Sequence, residues 1–169
     1  MAFALHDFVD LYRRQLDTLA HLADKAAQAA AERGVSEAEV LGWRLVDDMN
    51  PLAFQFAVAI TFAQGWPARV AGEAPPEGIS AELDLAGYRA AIATARERLA
   101  ALAPAQFAGR DDAPITFKIG EIMEPTLPAA RWLSGFATTN LYFHVAMAYA
   151  ILRAHGVPLG KRDMFVAGL

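Results

Sequence analysis

Leu5, Phe8, Tyr12, Leu16, Leu19 and Leu22 recur at three- and four-residue steps, so a helix over Ala4 to Glu32 carries them as one stripe. Arg13, Arg14, Asp17, Asp24 and Lys25 fall mostly off that stripe. Three further segments read the same way: Pro51 to about Ala71, Ser80 or Asp84 to Ala103, and Pro128 to His155. A helix with one apolar face must bury it, and four such helices bury their faces most simply against one another. The pattern therefore predicts an all-α four-helix bundle, a single domain over residues 1–169.

Punctuation between the stripes sharpens the boundaries. Gly34 suits a left-handed helix end, and Ser36-Glu37-Ala38-Glu39 is a capping-box pattern that starts a short helix carrying Val40 and Leu41. Asn50-Pro51 predicts an N-cap followed by a first-turn proline. Pro67 predicts a kink or break after Gly65-Trp66. Pro104 stops the third helix. The connection from Pro104 to Leu127 is long for a bundle. Within it, Ile115 to Ile119, Gly120-Glu121 and Ile122 to Pro125 read as a small β-hairpin with a Gly-first turn. Gly156-Val157-Pro158 is a full helix stop.

Composition narrows the function classes. The chain has no cysteine, which removes disulfides, zinc-thiolate sites and cysteine nucleophiles. Net charge −4 without a basic block argues against nucleic acid as a partner. The longest apolar stretch, Pro51 to Ala63, is far short of the ~20 residues of a membrane span, and the N-terminus lacks the pattern of a secretory signal. The expectation is a soluble, cytoplasmic protein. A hydrophobic fraction of 55% predicts that some apolar surface goes into a partner, a ligand pocket or both.

Few residues could carry chemistry. On the last long helix the stripe reads Leu133, Phe136, Ala137, Asn140, His144, Met147, Ala148 and Ile151, so Asn140 and His144 stand one above the other on an otherwise apolar face. A buried polar group without a partner costs about 1–3 kcal/mol, so their expected partners are each other, as a core pair that fixes helix register, or Tyr88, Gln55 or an aspartate near the start of the second helix. Asp48 either favours the positive end of that helix or turns inward toward His144. Gln55 shares a stripe with Leu52, Phe56, Ala59 and Trp66 and reads as a buried polar contact. His6, His21 and His155 are expected to be solvated. No His-x-x-x-His, His-Glu-x-x-His or Glu-x-x-His occurs, nor any nucleophile-elbow, phosphate-loop or dinucleotide pattern.

With these residues placed, Asn140-Leu141-Tyr142-Phe143-His144-Val145, continuing to Ala148-Tyr149-Ala150-Ile151-Leu152-Arg153 and Gly156-Val157-Pro158-Leu159-Gly160-Lys161-x-Asp163, resembles an uncharacterised bacterial family of the DinB/YfiT-like superfamily. Asp48-Met49-Asn50-Pro51-Leu52 belongs to the same resemblance. The resemblance implies a bacterial, cytoplasmic four-helix bundle, often a homodimer. Better-known relatives hold a divalent metal with three histidines, one near the start of the second helix and two four apart on the fourth, and some transfer low-molecular-weight thiols. Here Asp48 and Asn140 stand where two of those histidines would be, and His144 alone remains.

Three readings follow. The first is a small-ligand-binding bundle, non-catalytic or of unassigned activity, with Asp48, Gln55, Tyr88, Asn140 and His144 as pocket candidates and no cofactor. The second is a divalent-metal enzyme of thiol-transferase type with a degenerate Asp48/Asn140/His144 site. The third is a purely structural homodimer of apolar helical faces.

Overall fold

The structure, a computed structural model, describes residues 4–168. Helix α1 spans Asp7–Arg33 and ends at Gly34, whose φ of 65° is the left-handed conformation a helix stop requires. It begins later than Ala4 because the Asp7 carboxylate accepts the Ala4 N–H at 2.8 Å. Ser36 Oγ accepts the Glu39 N–H at 3.1 Å and starts the short helix α2, Glu37–Leu41. Helix α3 spans Leu52–Ala71. Helix α4, Leu85–Ala101, is capped by Asp84, whose carboxylate accepts the Gly87 N–H at 2.7 Å.

Two expectations about α3 are corrected. Pro51, not Asn50, occupies the N-cap position, and the Asn50 carbonyl accepts from the Gln55 side chain instead. The helix also runs through Pro67 without a break. A proline inside a helix costs on the order of 3 kcal/mol. Here the run Ala63 to Ala68 is buried throughout, and that packing offsets the lost hydrogen bond near the helix end.

After a 3₁₀ turn at Pro104–Phe107, strands β1, Pro114–Thr116, and β2, Thr126–Pro128, pair antiparallel with Ile115 opposite Leu127. The hairpin is therefore present: Ile119 pairs with Met123 and the Phe117 N–H donates to the Pro125 carbonyl within the expected segment, and its regular second strand continues beyond Pro125 to Pro128. At its tip the Ile122 N–H donates to the Ile119 carbonyl at 3.2 Å around Gly120, whose φ is 54°. Trp132 Nε1 donates to the Ile115 carbonyl at 2.8 Å, and the Phe117 ring packs on Trp66 at 5.0 Å, so the hairpin is fastened to the bundle.

Helix α5, Ala129–Arg131, runs directly into a π-helical segment, Trp132–Ala137, and then into α6, Thr138–Ala154. A π turn inserts one extra residue into the helical register. Its widened turn is held by the Leu133 carbonyl, which accepts the Thr138 hydroxyl at 2.7 Å and the Tyr12 hydroxyl at 3.4 Å. The inward face of α6 consequently becomes Ala137, Leu141, Val145, Ala148 and Leu152, all completely buried. Of the expected stripe, Leu133, Ala137, Ala148 and Ile151 are buried, whereas Phe136, Asn140, His144 and Met147 are turned to the flank, where they are half-buried.

Helices α1, α4, α3 and α6 pack as a ring in that order, with α3 against α6 the most extensive contact. Tyr12, Leu16, Leu19, Phe56, Ile60, Tyr88, Leu99 and Leu133 fill the axis without solvent exposure. Each such apolar side chain contributes roughly 1.5–3 kcal/mol of burial. Gly156, at φ 76°, ends α6, with the Val157 N–H returning to the Leu152 carbonyl at 3.0 Å. The tail then packs back on α1: Asp163 meets His21 at 2.7 Å. Among the described residues no helix is long and apolar enough to cross a membrane.

Candidate functional site

The α3–α6 seam brings two of the candidate residues together. His144 Nδ1 lies 2.8 Å from Gln55 Oε1. Gln55 is 2% exposed, and its Nε2 donates to the Asn50 carbonyl at 3.0 Å. With the amide nitrogen committed to a carbonyl, Oε1 is the atom that faces the imidazole, and Nδ1 must carry the proton. The neutral ring then presents Nε2 as a bare lone pair. Burial pushes the imidazole below its ordinary pKa of 6.5, which favours that neutral form. Nε2 has no protein partner among the described residues.

Aromatic rings pack beside the imidazole. Phe54, Phe62 and Phe143 lie 6.0, 6.4 and 5.2 Å from the His144 ring by centroid, and Phe136 continues the wall beyond Phe62. Phe143 is 49% exposed, so this apolar rim is open on its outer side. An unprotonated imidazole nitrogen in such a setting can accept a hydrogen bond from an N–H or O–H carried on an apolar body.

The other candidates are placed apart from this pair or are otherwise engaged. Asn140 Nδ2 donates to the Phe136 carbonyl of its own helix at 2.7 Å. The Tyr88 hydroxyl, on α4, donates to the Ala53 carbonyl at 2.9 Å, and burial pushes its pKa up to about 12. Asp48 is exposed in the loop before α3. The three remaining histidines are not simply solvated. His6 Nε2 lies 3.1 Å from the Leu102 carbonyl, and His155 Nε2 lies 3.0 Å from the Arg44 carbonyl while its ring stacks on Trp43 at 4.5 Å. His21 pairs with Asp163. That carboxyl sits below its ordinary pKa because the Gly160 N–H and then the His21 ring bond to it.

A three-histidine metal site does not fit these residues. One imidazole nitrogen is available, the Asn140 amide nitrogen is committed to its own helix, and carboxamide oxygen is a weak donor for transition metals. No group of three or more His, Asp or Glu side chains gathers into a metal-binding cluster among the described residues.

Two buried glutamines escaped the sequence reading. Gln64 accepts from Arg98 Nη1 at 2.6 Å and donates to the Glu77 carbonyl at 3.2 Å, on the wall of a cavity of about 260 Å³ between α3 and α4. Gln15 lines a second cavity beside the tail. Both sit at helical spacing on apolar stripes, Gln15 between Tyr12 and Leu19, Gln64 one turn after Ile60. A polar residue at a core position was the available signal.

The ring of four helices, the capping hairpin and the histidine on the last long helix define a DinB-like all-α bundle. Residues 5–165 match the family described as "Domain of unknown function (DUF1993)", and the chain belongs to that family. A solved DinB family member protein from Shewanella denitrificans is 31% identical and superposes with a TM-score of 0.82, covering 95% of this chain and 90% of that one. No curated protein matches the chain.

Proposed function

We propose that this DinB-like protein binds a small ligand at the α3–α6 seam and has no assigned chemistry there. His144 Nε2 is the recognition atom. The observation that carries the reading is the Gln55 carboxamide, which is tied to the Asn50 carbonyl and so orients the imidazole with Nε2 unpartnered. Phe54, Phe62 and Phe143 supply apolar walls. The ligand class is an apolar or aromatic body bearing one N–H or O–H donor, with phenol as a simple probe. Saturable phenol binding that moves the ¹⁵Nε2 resonance of His144, and that His144→Ala abolishes, supports it. Phenol binding unchanged by His144→Ala removes it.

The metalloenzyme reading is decided by metal analysis of the purified protein beside His144→Ala. Stoichiometric zinc or nickel lost in the variant favours a metal on Asp48, Asn140 and His144. Equal, negligible metal in both favours the ligand site.

A second reading is favoured by Tyr142 and Phe143, which are 40% and 49% exposed on α6. Contiguous exposed apolar surface marks contacts with other chains, and we propose a homodimer in a bacterial cytoplasm that uses these two adjacent rings. Light scattering tests it: a dimer that Phe143→Glu converts to monomer supports the face, and a wild-type monomer overturns it.

A further inference from the structure

Arg98 and Glu73 line one half-open pocket of about 260 Å³ between α3, α4 and the chain that follows α3, yet no ion pair joins them. Each charge is held by a glutamine instead. Gln64, buried on α3, accepts Arg98 Nη1 at 2.6 Å through Oε1, while its Nε2 donates to the Glu77 carbonyl at 3.2 Å. Gln106 donates to Glu73 Oε1 through Nε2, while its own Oε1 accepts the Ala103 N–H at 2.7 Å. A backbone bond at the far end of each carboxamide thus fixes which way it faces. Arg98 keeps Nε and Nη2 unbonded among the described residues, and Glu73 keeps Oε2. Both side chains are exposed, so a ligand can reach them from solvent.

We infer that this pocket is a binding site for a small zwitterion, an α-amino acid with an apolar side chain, whose carboxylate meets Arg98 and whose ammonium meets Glu73. A planar guanidinium presents a fork of donors that matches a carboxylate. An ion of a single sign would meet one counter-charge and one like charge here. A zwitterion meets a counter-charge at both ends. One pocket of this size holds both charges, so the ligand's charged groups lie close together, as they do on an α-carbon. The ammonium has a second source of stabilisation. Ala68 in the last turn of α3 and Ala101 at the end of α4 both line the pocket, and a helix C-terminus favours a cation. Ala74, Pro76 and Leu102 supply apolar wall for the side chain. The volume is several times the roughly 30 Å³ that one water occupies. The site is independent of the His144 seam, which α3 shares with α6 and not with α4.

L-leucine is the probe, beside two analogues that each carry one of its charges: isocaproate lacks the ammonium and isoamylamine lacks the carboxylate. Titrated into the full chain and followed by ¹H–¹⁵N spectra, leucine should bind saturably. It should move the Arg98 Nε–H signal and the backbone signals of Ala74 and Ala101. Its affinity should exceed that of either analogue by at least about tenfold, the worth of one charge-assisted hydrogen bond. Arg98→Gln and Glu73→Gln should each weaken leucine by a similar factor, whereas His144→Ala should leave it unchanged. Both substituted side chains are exposed, so the fold is kept. The analogue comparison needs no substitution and decides independently of the variants. Absence of leucine binding, an analogue that binds as tightly as leucine, unaltered leucine affinity in either charge variant, or shifts centred on Phe54 and His144 would each overturn the inference.

Discussion

Gln55 donates to the Asn50 carbonyl through Nε2 and accepts the Nδ1–H of His144 through Oε1, so one buried carboxamide links the start of α3 to the middle of α6. Turning the amide over would set Nε2 against the ring and Oε1 against a carbonyl, two acceptors face to face. Removing the imidazole strands Oε1. His144→Ala should therefore destabilise the protein by about 1–3 kcal/mol plus a contribution from the lost ring, measured by urea unfolding.

The depressed pKa of His144 has a consequence for stability. Below about 6.5 the unfolded chain binds a proton at this position that the folded one resists. The contribution of His144 is then complete above the unfolded value and is lost as pH falls toward the folded one. Unfolding free energy should rise with pH through this window, and more steeply in the wild type than in His144→Ala. Parallel pH profiles for the two proteins would count against a buried neutral imidazole.

Deleting Gly135 should be tolerated. The π-helical segment holds one residue more than an α-helix of the same span, and Gly135 is exposed within it. Its removal lets the segment relax to α while Leu141 and Val145 stay inward. Deleting Ala146 has no such reserve and should swing Ala148, Ile151 and Leu152 off the core. Circular dichroism melts should show a cooperative transition for the first deletion and a lost or much lower one for the second.

The Thr138 hydroxyl lies 3.0 Å from that of Tyr12, which is completely buried and whose pKa burial raises. Thr138→Val is nearly isosteric but leaves the Tyr12 hydroxyl with only its longer 3.4 Å contact to Leu133. A loss of about 1–3 kcal/mol is expected, read by denaturant midpoint. An unchanged midpoint would show that the hydroxyl pair does not brace the π turn.

The α1 stripe, the Asp84 cap, the Ser36 cap and the Gly156 stop act through local rules, and each was readable from neighbouring residues. The π turn was not. Nothing in Trp132-Leu133-Ser134-Gly135-Phe136-Ala137 marks an extra residue, and besides the local Thr138 hydroxyl the turn is braced by Tyr12, more than a hundred residues away. The stripe therefore held at Leu133, Ala137, Ala148 and Ile151 but was misplaced at Phe136, Asn140, His144 and Met147, where Leu141 and Val145 face inward instead. Asn140 and His144 moved from the axis to the flank, yet His144 still meets Gln55, one of its expected partners, because α3 borders that flank. The break at Pro67 did not occur for a related reason, since local propensity says nothing about how deeply a helix end is packed. The hairpin's second arm runs further than the alternation near Ile122 indicated, because the register that pairs Ile119 with Met123 continues to Leu127 opposite Ile115.

The most direct test is a long-range ¹H–¹⁵N spectrum of the imidazoles across a pH titration, with His144 assigned by its loss in His144→Gln. A neutral Nδ1–H tautomer titrating below 6.5 is the predicted result. An Nε2–H tautomer, or a ring that protonates at or above that value, would contradict the orientation on which the proposed ligand site depends.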